Sequence, residues 1–439
     1  MSALEHSDYS PDKFRGALLG LAVGDALGAP IEGMKPGRIR ELFQEVRDYL
    51  DNRNAYQKRP YRLRLPGVYT DDTQQALCLA ESLVRCYGFN LVDFAQTLLE
   101  LWKADQDLKY GAFRGIGPTF RKVMTELEQG ADPQKTGIPS AGIGSAMRVA
   151  PVGLYFAGEA QALIDSAIKQ SLLTHTDPRA LALSATVAWL VGKYLEPGWA
   201  ELKLREQIEE LLSEVEKIEE LIEREYIAYL PAQAYDFFGF FSRSLKGLSH
   251  WQGMEHSLVF KQIVNLANQG FPRQKITSPA QNFSLALGIT AIFLGMVSRD
   301  FESGLIEAVN LGRDADSLGA ITGAILGARF GEEAIPERWL KGLRNSEQIR
   351  VRAEALWQKS FAGLKIRPLK EMELELTWEE IRQRERFIQK MLAQGEYDPE
   401  KKQKKKIQEQ KQPSALIKKK KGKKEKKRRE KAPWKKWQD

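Results

Sequence analysis

Glycine recurs every fourth residue in two separate segments of this chain. In residues 14–33, FRGALLGLAVGDALGAPIEG, glycines fall at 16, 20, 24 and 28; in LGAITGAILGA, just after Ser317, they fall at 319, 323 and 327. A four-residue spacing lines one face of an α-helix. Each glycine weakens an isolated helix by about 1 kcal/mol relative to alanine, so a helix carrying a stripe of them is expected to be buried and to let neighbours approach closely. From Gly16 to Ile31 the first segment is apolar on all sides except at Asp25, which again points to burial. Asp25 is therefore read as a buried, hydrogen-bonded support.

The remaining pattern is helical. Three- and four-residue apolar steps predict helices over 71–87 and 91–104, with further ones near 37–50 and 117–129 and in two pieces over 146–196. Others are expected at 253–268, 281–298, 302–312, 316–331 and 348–361, and a charged one at 377–393. In 201–228, Leu204, Ile208, Leu211, Val215, Ile218 and Ile222 form a stripe at steps of four and three. It reads as an amphipathic helix covering the core, with a weak dimer seam as the alternative. No alternating apolar/polar run is long enough for a sheet. The expected fold class is all-α.

Charge divides the chain. Residues 401–439 hold 19 Lys/Arg against 4 Asp/Glu, while residues 1–400 hold 47 against 54. The body is acidic and the tail basic. The division expected is a helical domain at 1–370, a charged helical linker at 371–397 and a disordered lysine-rich tail at 398–439, too poor in apolar surface to fold alone. Such a tail suits RNA or DNA backbones without sequence preference. Cys78 and Cys86 fit no disulfide framework or zinc pattern and read as helix packing residues. With no leader-like start and a longest apolar run, 283–298, short of the ~20 residues that span a bilayer, a cytoplasmic, non-membrane protein is expected.

Two acidic elements carry the chemistry. Thr70-Asp71-Asp72 stands where the Pro66-Gly67 loop meets a helix, and Asp314-Ala315-Asp316-Ser317 opens the second glycine-faced helix. Either could be a helix cap. Adjacent carboxylates repel unless a positive charge lies between them, however, and carboxylate and hydroxyl oxygens suit Mg²⁺, Mn²⁺ or Ca²⁺ rather than zinc. Six such side chains could share two cations about 3.5–4 Å apart.

Five segments then carry a resemblance: GALLGLAVGDALGAPIEG (16–33), YTDDTQQAL (69–77), AGIGSAMRVAPVGL (141–154), LLTHTDPRAL (172–181) and GRDADSLGAITGAILGA (312–328). In this order and spacing the chain resembles the ADP-ribosylglycohydrolase family, which includes the dinitrogenase reductase-activating glycohydrolases. The resemblance implies a large multi-helix orthogonal bundle with a central di-metal site, two Mg²⁺ or Mn²⁺ ions held by Thr70, Asp71, Asp72, Asp314, Asp316 and Ser317. It implies an ADP-ribose loop at Gly142, Gly144, Ser145, Ala146, Met147 and Arg148, with His175 beside it. Glu32 corresponds to a glutamate that reaches the metals in some members. Ser317 stands where many members have threonine, and Arg313 where a small glycine is common.

The implied reaction is hydrolysis at the anomeric carbon of an ADP-ribosyl group on a protein side chain or small conjugate, through an oxocarbenium-like transition state. Glu32, or one of Asp71 and Asp316, would accept the proton from water. A catalytically weak or inactive ADP-ribose binder is the competing reading, with Arg313 as its main support. Monomer and weak dimer both remain open.

Overall fold

The computed structural model describes residues 9–399. The basic tail, and with it the expected nucleic-acid contact, lies outside the described residues apart from its first two positions. The fold is all-helical: among the described residues the β contact is a single isolated bridge, Ile138 to His175.

The longer helices are α1 (Pro11–Gly28), α2 (Pro36–Phe43), α3 (Asp71–Arg85), α4 (Leu91–Trp102), α5 (Pro118–Glu128), α6 (Ala160–Leu172) and α7 (Pro178–Leu195). There follow α8 (Leu204–Glu225), α9 (His256–Gln269), α10 (Ile289–Val297), α11 (Phe301–Asn310), α12 (Ala315–Phe330), α13 (Ser346–Gln358) and α14 (Leu369–Ala393).

Several expected boundaries move for local reasons. The helix expected over 37–50 ends at Phe43, because Gln44 turns to φ 61°. The one expected over 71–87 ends at Arg85, with Tyr87 at φ 53°. Residues 146–196 form three helices rather than two: Ala150–Tyr155, α6 and α7. Gly158, at φ 80°, separates the first two. The segment 281–298 opens with a π-helical turn, Ser284–Gly288, whose first residue donates both its N–H and its hydroxyl to the Ala141 carbonyl at 2.9 Å.

α1 and α12 form the centre, antiparallel and in backbone contact. Gly16 faces Gly327, Gly20 faces Gly323, Gly24 faces Gly319 and Gly28 faces Ala315. A Cβ added at Gly20 would lie 2.2 Å from the Gly323 carbonyl oxygen, and one at Gly323 would lie 2.1 Å from that of Gly20. The two glycine stripes are therefore the two halves of one contact. Residues 11–31 also make the one stretch, among the described residues, long and apolar enough to cross a membrane, but 94% of that window is buried within the protein. The stripe on α8 is likewise turned inward: Ile208, Leu211, Val215, Ile218 and Ile222 are all buried, so the helix covers the core.

The described chain divides into two compact units. One holds the residues up to Ala55 and Leu63–Gln383; the other holds Tyr56–Arg62 and the residues from Arg384 onward. Within the second, the rings of Tyr61 and Tyr397 lie 6.5 Å apart. Within the first, α14 contributes Leu369, Met372, Glu373, Leu376, Thr377 and Glu380 to the buried interior.

Candidate metal centre and cleft

Because α1 and α12 run antiparallel, the C-terminal end of α1 meets the N-terminal start of α12. Asp25, on the last full turn of α1, is completely buried. Both of its carboxylate oxygens accept the Thr70 N–H at 2.9 Å, and Oδ2 also accepts the Thr73 N–H at 3.0 Å and the Thr73 hydroxyl at 2.6 Å. Asp25 thus ties the start of α3 to the α1–α12 pair and brings the two acidic elements together. Thr70 caps α3, its hydroxyl oxygen accepting the Asp72 N–H at 3.4 Å.

Burial dominates the electrostatics. Asp71 is pushed up to about 8 by desolvation, then by Asp25 and Glu32, with Arg64 opposing. Asp314 is pushed up to about 6 by burial and then by Glu32. Asp72 and Asp316 lie well above the usual carboxylate range, first through burial and then through the neighbouring acids. Four carboxyls in one desolvated space cannot all ionise without a compensating cation.

Asp72 Oδ1, Asp314 Oδ2 and Asp316 Oδ1 are buried and have no hydrogen-bond partner. Unsatisfied buried polar atoms are costly, and oxygens of this type fit a hard divalent cation. Among the described residues, no three His, Cys, Asp or Glu side chains are drawn tightly enough together to form a closed metal cluster. The donor chemistry fits a hard cation; the spacing is open.

These acids form the floor of a cleft of about 610 Å³, within the usual size for a small-molecule site. Glu32, Asp71, Asp72, Asp314, Asp316 and Ser317 line it, as do Gly142, Gly144, Met147, Arg148 and His175. Thr70 and Ser145 stand behind the wall. The Ser145 hydroxyl accepts from Ser171 at 2.7 Å, and its carbonyl accepts from Gln170 at 3.1 Å.

Glu32 is exposed at the mouth. Its loop is clipped to the second acidic element: the Gly33 N–H donates to the Arg313 carbonyl at 2.5 Å, and the Arg313 N–H donates to Met34 at 2.6 Å. Arg313 adopts φ 59° and does not line the cleft.

The glycine loop packs on His175. A Cβ at Gly144 would lie 3.1 Å from the ring, and one at Gly142 would lie 3.0 Å from Asn282 Oδ1. Burial and the nearby Arg148 push the imidazole down to about 3, so it is neutral at ordinary pH. The Thr174 hydroxyl lies 2.7 Å from His175 Nδ1 but 3.4 Å from the Ser171 carbonyl. Donation to Nδ1 is the better bond, which leaves the Nε2 hydrogen on the side facing Gly142.

Arg148 is buried and satisfied by protein acceptors: Gln170 Oε1 at 2.8 Å, the Gln170 carbonyl at 2.9 Å, Thr174 Oγ1 at 2.9 Å and Gln75 Oε1 at 2.7 Å. Gln75 in turn donates to Asp71 Oδ2 at 2.7 Å. Arg148 therefore orients the Asp71 carboxylate of the cleft through Gln75.

Sequence reasoning missed Gln75, although its position four residues after Asp71 puts both on one helix face. It also missed Asn282, which accepts the Ile143 N–H at 3.4 Å, and the Asp177–Arg179 pair, which also lines the cleft and is joined at 2.6 Å. Asn282 carries no local signal; it is brought in by the turn before the π-helical segment.

Comparison with known proteins supports one identity for this arrangement. The family model described as ADP-ribosylglycohydrolase matches residues 5–363. An uncharacterised protein of Archaeoglobus fulgidus is 31% identical over 347 residues, covering 79% of this chain and 96% of its own length. The ADP-ribosylarginine hydrolase Tri1 of Serratia proteamaculans is 28% identical over 352 residues, covering 79% of this chain and 80% of its own. A solved structure titled ADP-ribosylglycohydrolase-related protein complex matches at 30% identity and a TM-score of 0.55, covering 80% of this chain and 98% of that one.

Proposed function

The chain belongs to the ADP-ribosylglycohydrolase family, and from that premise we propose that it is a divalent-cation-dependent hydrolase releasing ADP-ribose from a modified protein side chain or a small ADP-ribosyl conjugate. One observation carries the reading. Two acidic helix starts, 242 residues apart in sequence between Asp72 and Asp314, meet on the floor of a single cleft and bring three orphaned carboxylate oxygens with them.

Thr70, Asp71, Asp72, Asp314, Asp316 and Ser317 would hold two Mg²⁺ or Mn²⁺ ions. When bound, such ions supply Lewis acidity toward the ribose hydroxyls and make nearby water more acidic. The rest falls to the protein's own side chains. Glu32, at the open mouth, accepts the proton of the attacking water, with Asp71 and Asp316 as the other carboxylates in reach of the cleft. The water oxygen bonds to the anomeric carbon as the bond from that carbon to the leaving nitrogen or oxygen breaks, and the leaving side chain takes up the proton that the carboxylate accepted from the water. Gly142 and Gly144 let the backbone approach the diphosphate closely, and His175 presents a neutral N–H donor. Arg148, held by four acceptors, keeps Gln75 and hence Asp71 in place.

The test is release of ADP-ribose from arginine-linked and serine-linked substrates, with and without Mg²⁺ or Mn²⁺, repeated on Asp316→Ala. The arginine linkage is the first to try, because a relative carries that activity in its name. Cation-independent turnover, or full activity of the variant, would overturn the reading; cation-dependent ADP-ribose binding without turnover would favour a binder.

A further inference from the structure

Glu373, Thr377 and Glu380 fall on one face of α14, spaced four and three residues apart, and all three are buried. This stretch lies beyond residue 363, where the family match ends. Each glutamate holds an arginine that flanks the Thr70-Asp71-Asp72 element. Glu373 accepts from Arg114 Nη2 at 2.7 Å, and the Arg114 carbonyl accepts the Asp71 N–H at 2.7 Å. Glu380 Oε1 accepts from Arg64 Nη1 at 2.9 Å, with 2% of the glutamate side chain and 14% of the arginine side chain exposed.

Arg64 sits directly behind the cleft wall. A Cβ built at Gly115 would lie 3.0 Å from Arg64 Nη2 and 3.3 Å from Asp71 Oδ1. The guanidinium and a proposed ligand carboxylate therefore face each other across a residue with no side chain. Gly115 adopts φ +88°, a region that disfavours a larger residue. Arg64 feels the charges of Glu32 and Asp316 as well as that of Glu380.

We propose that α14 sets the divalent-cation affinity of the cleft, with Glu380 a positioning residue that clamps Arg64 behind Gly115 and cancels most of its charge. Free of that clamp, Arg64 would compete with a cation for Asp71. Without Arg64, the carboxylates would attract a cation more strongly. This rests on the metal reading proposed above.

The experiment is titration of the full-length protein with Mn²⁺, followed by the electron paramagnetic resonance signal of the free ion. Arg64→Met is expected to bind Mn²⁺ about tenfold more tightly and Glu380→Gln about tenfold more weakly, the order expected for one unit charge near a partly buried ion. The double variant, which removes both charges of the pair, should bind Mn²⁺ much as wild type does.

Unchanged affinity in the single variants, or shifts in the same direction, overturns the proposal while leaving the metal site intact. If Arg64→Met does not fold, Glu380→Gln decides alone: binding as tight as wild type or tighter overturns it. Wild type that binds no Mn²⁺ sinks the metal reading and this inference together.

Discussion

Asp25 accepts the backbone N–H of Thr70 with both carboxylate oxygens at 2.9 Å. One buried acid on the central helix thereby fixes where the first acidic element begins. Asp25→Ala would leave the N–H groups of Thr70 and Thr73 buried and unpaired. A loss of about 3 kcal/mol of stability is expected from stranding such donors. Urea unfolding measures it, and a loss under about 1 kcal/mol would contradict the role.

The cleft acids give stability a definite pH dependence. Asp71 and Asp314 are raised to about 8 and about 6 in the folded protein, against about 4 in an unfolded chain. The folded state therefore keeps protons that the unfolded chain has already released, so stability falls as pH rises through this window. Chelator-treated protein should melt at progressively lower temperature from about pH 5 to about pH 8. Added Mn²⁺ should raise the melting temperature most at the upper end, where it displaces the fewest protons. A melting temperature that is flat or rises with pH in chelator would refute this.

The α1–α12 contact leaves no room for a methyl group. Gly323→Ala would place a Cβ 2.1 Å from the Gly20 carbonyl oxygen, so the central pair would have to separate. A loss of 3 kcal/mol or more is expected, at the upper end for overpacking in a core. Gly37→Ala, in the first turn of α2 with nothing within 4 Å, is the control. It should be neutral or stabilise by about 0.5–1 kcal/mol. Similar melting temperatures for the two variants would argue against the contact.

Arg313 holds φ 59°, a conformation that glycine adopts without cost. Arg313→Gly should raise stability by about 0.5–1 kcal/mol, less than the full left-handed penalty because glycine also loosens the unfolded chain. Both backbone bonds to Gly33 and Met34 survive the change. Because the side chain does not line the cleft, release of ADP-ribose should be unchanged. Increased release in this variant would mean that Arg313 does obstruct the site.

The sequence by itself carried a good deal. Four-residue glycine spacing marked both central helices, since helix periodicity places such residues on one face wherever the helix lies. The paired acids at 70–72 and 314–317 were legible because like charges side by side are costly without a partner. The stripe on α8 was legible as an amphipathic face. The tertiary structure decided what no local pattern encodes. It set the two glycine stripes against each other in antiparallel register, because only there can two backbones touch. It made Asp25 the anchor of α3. It surrounded Arg148, which also lines the cleft, with four acceptors and linked it through Gln75 to Asp71. It also buried Glu373 and Glu380 of a helix that reads in sequence as a charged linker, because their partners, Arg114 and Arg64, lie more than 250 residues away. Long-range pairing of opposite charges leaves no mark on the periodicity of either segment.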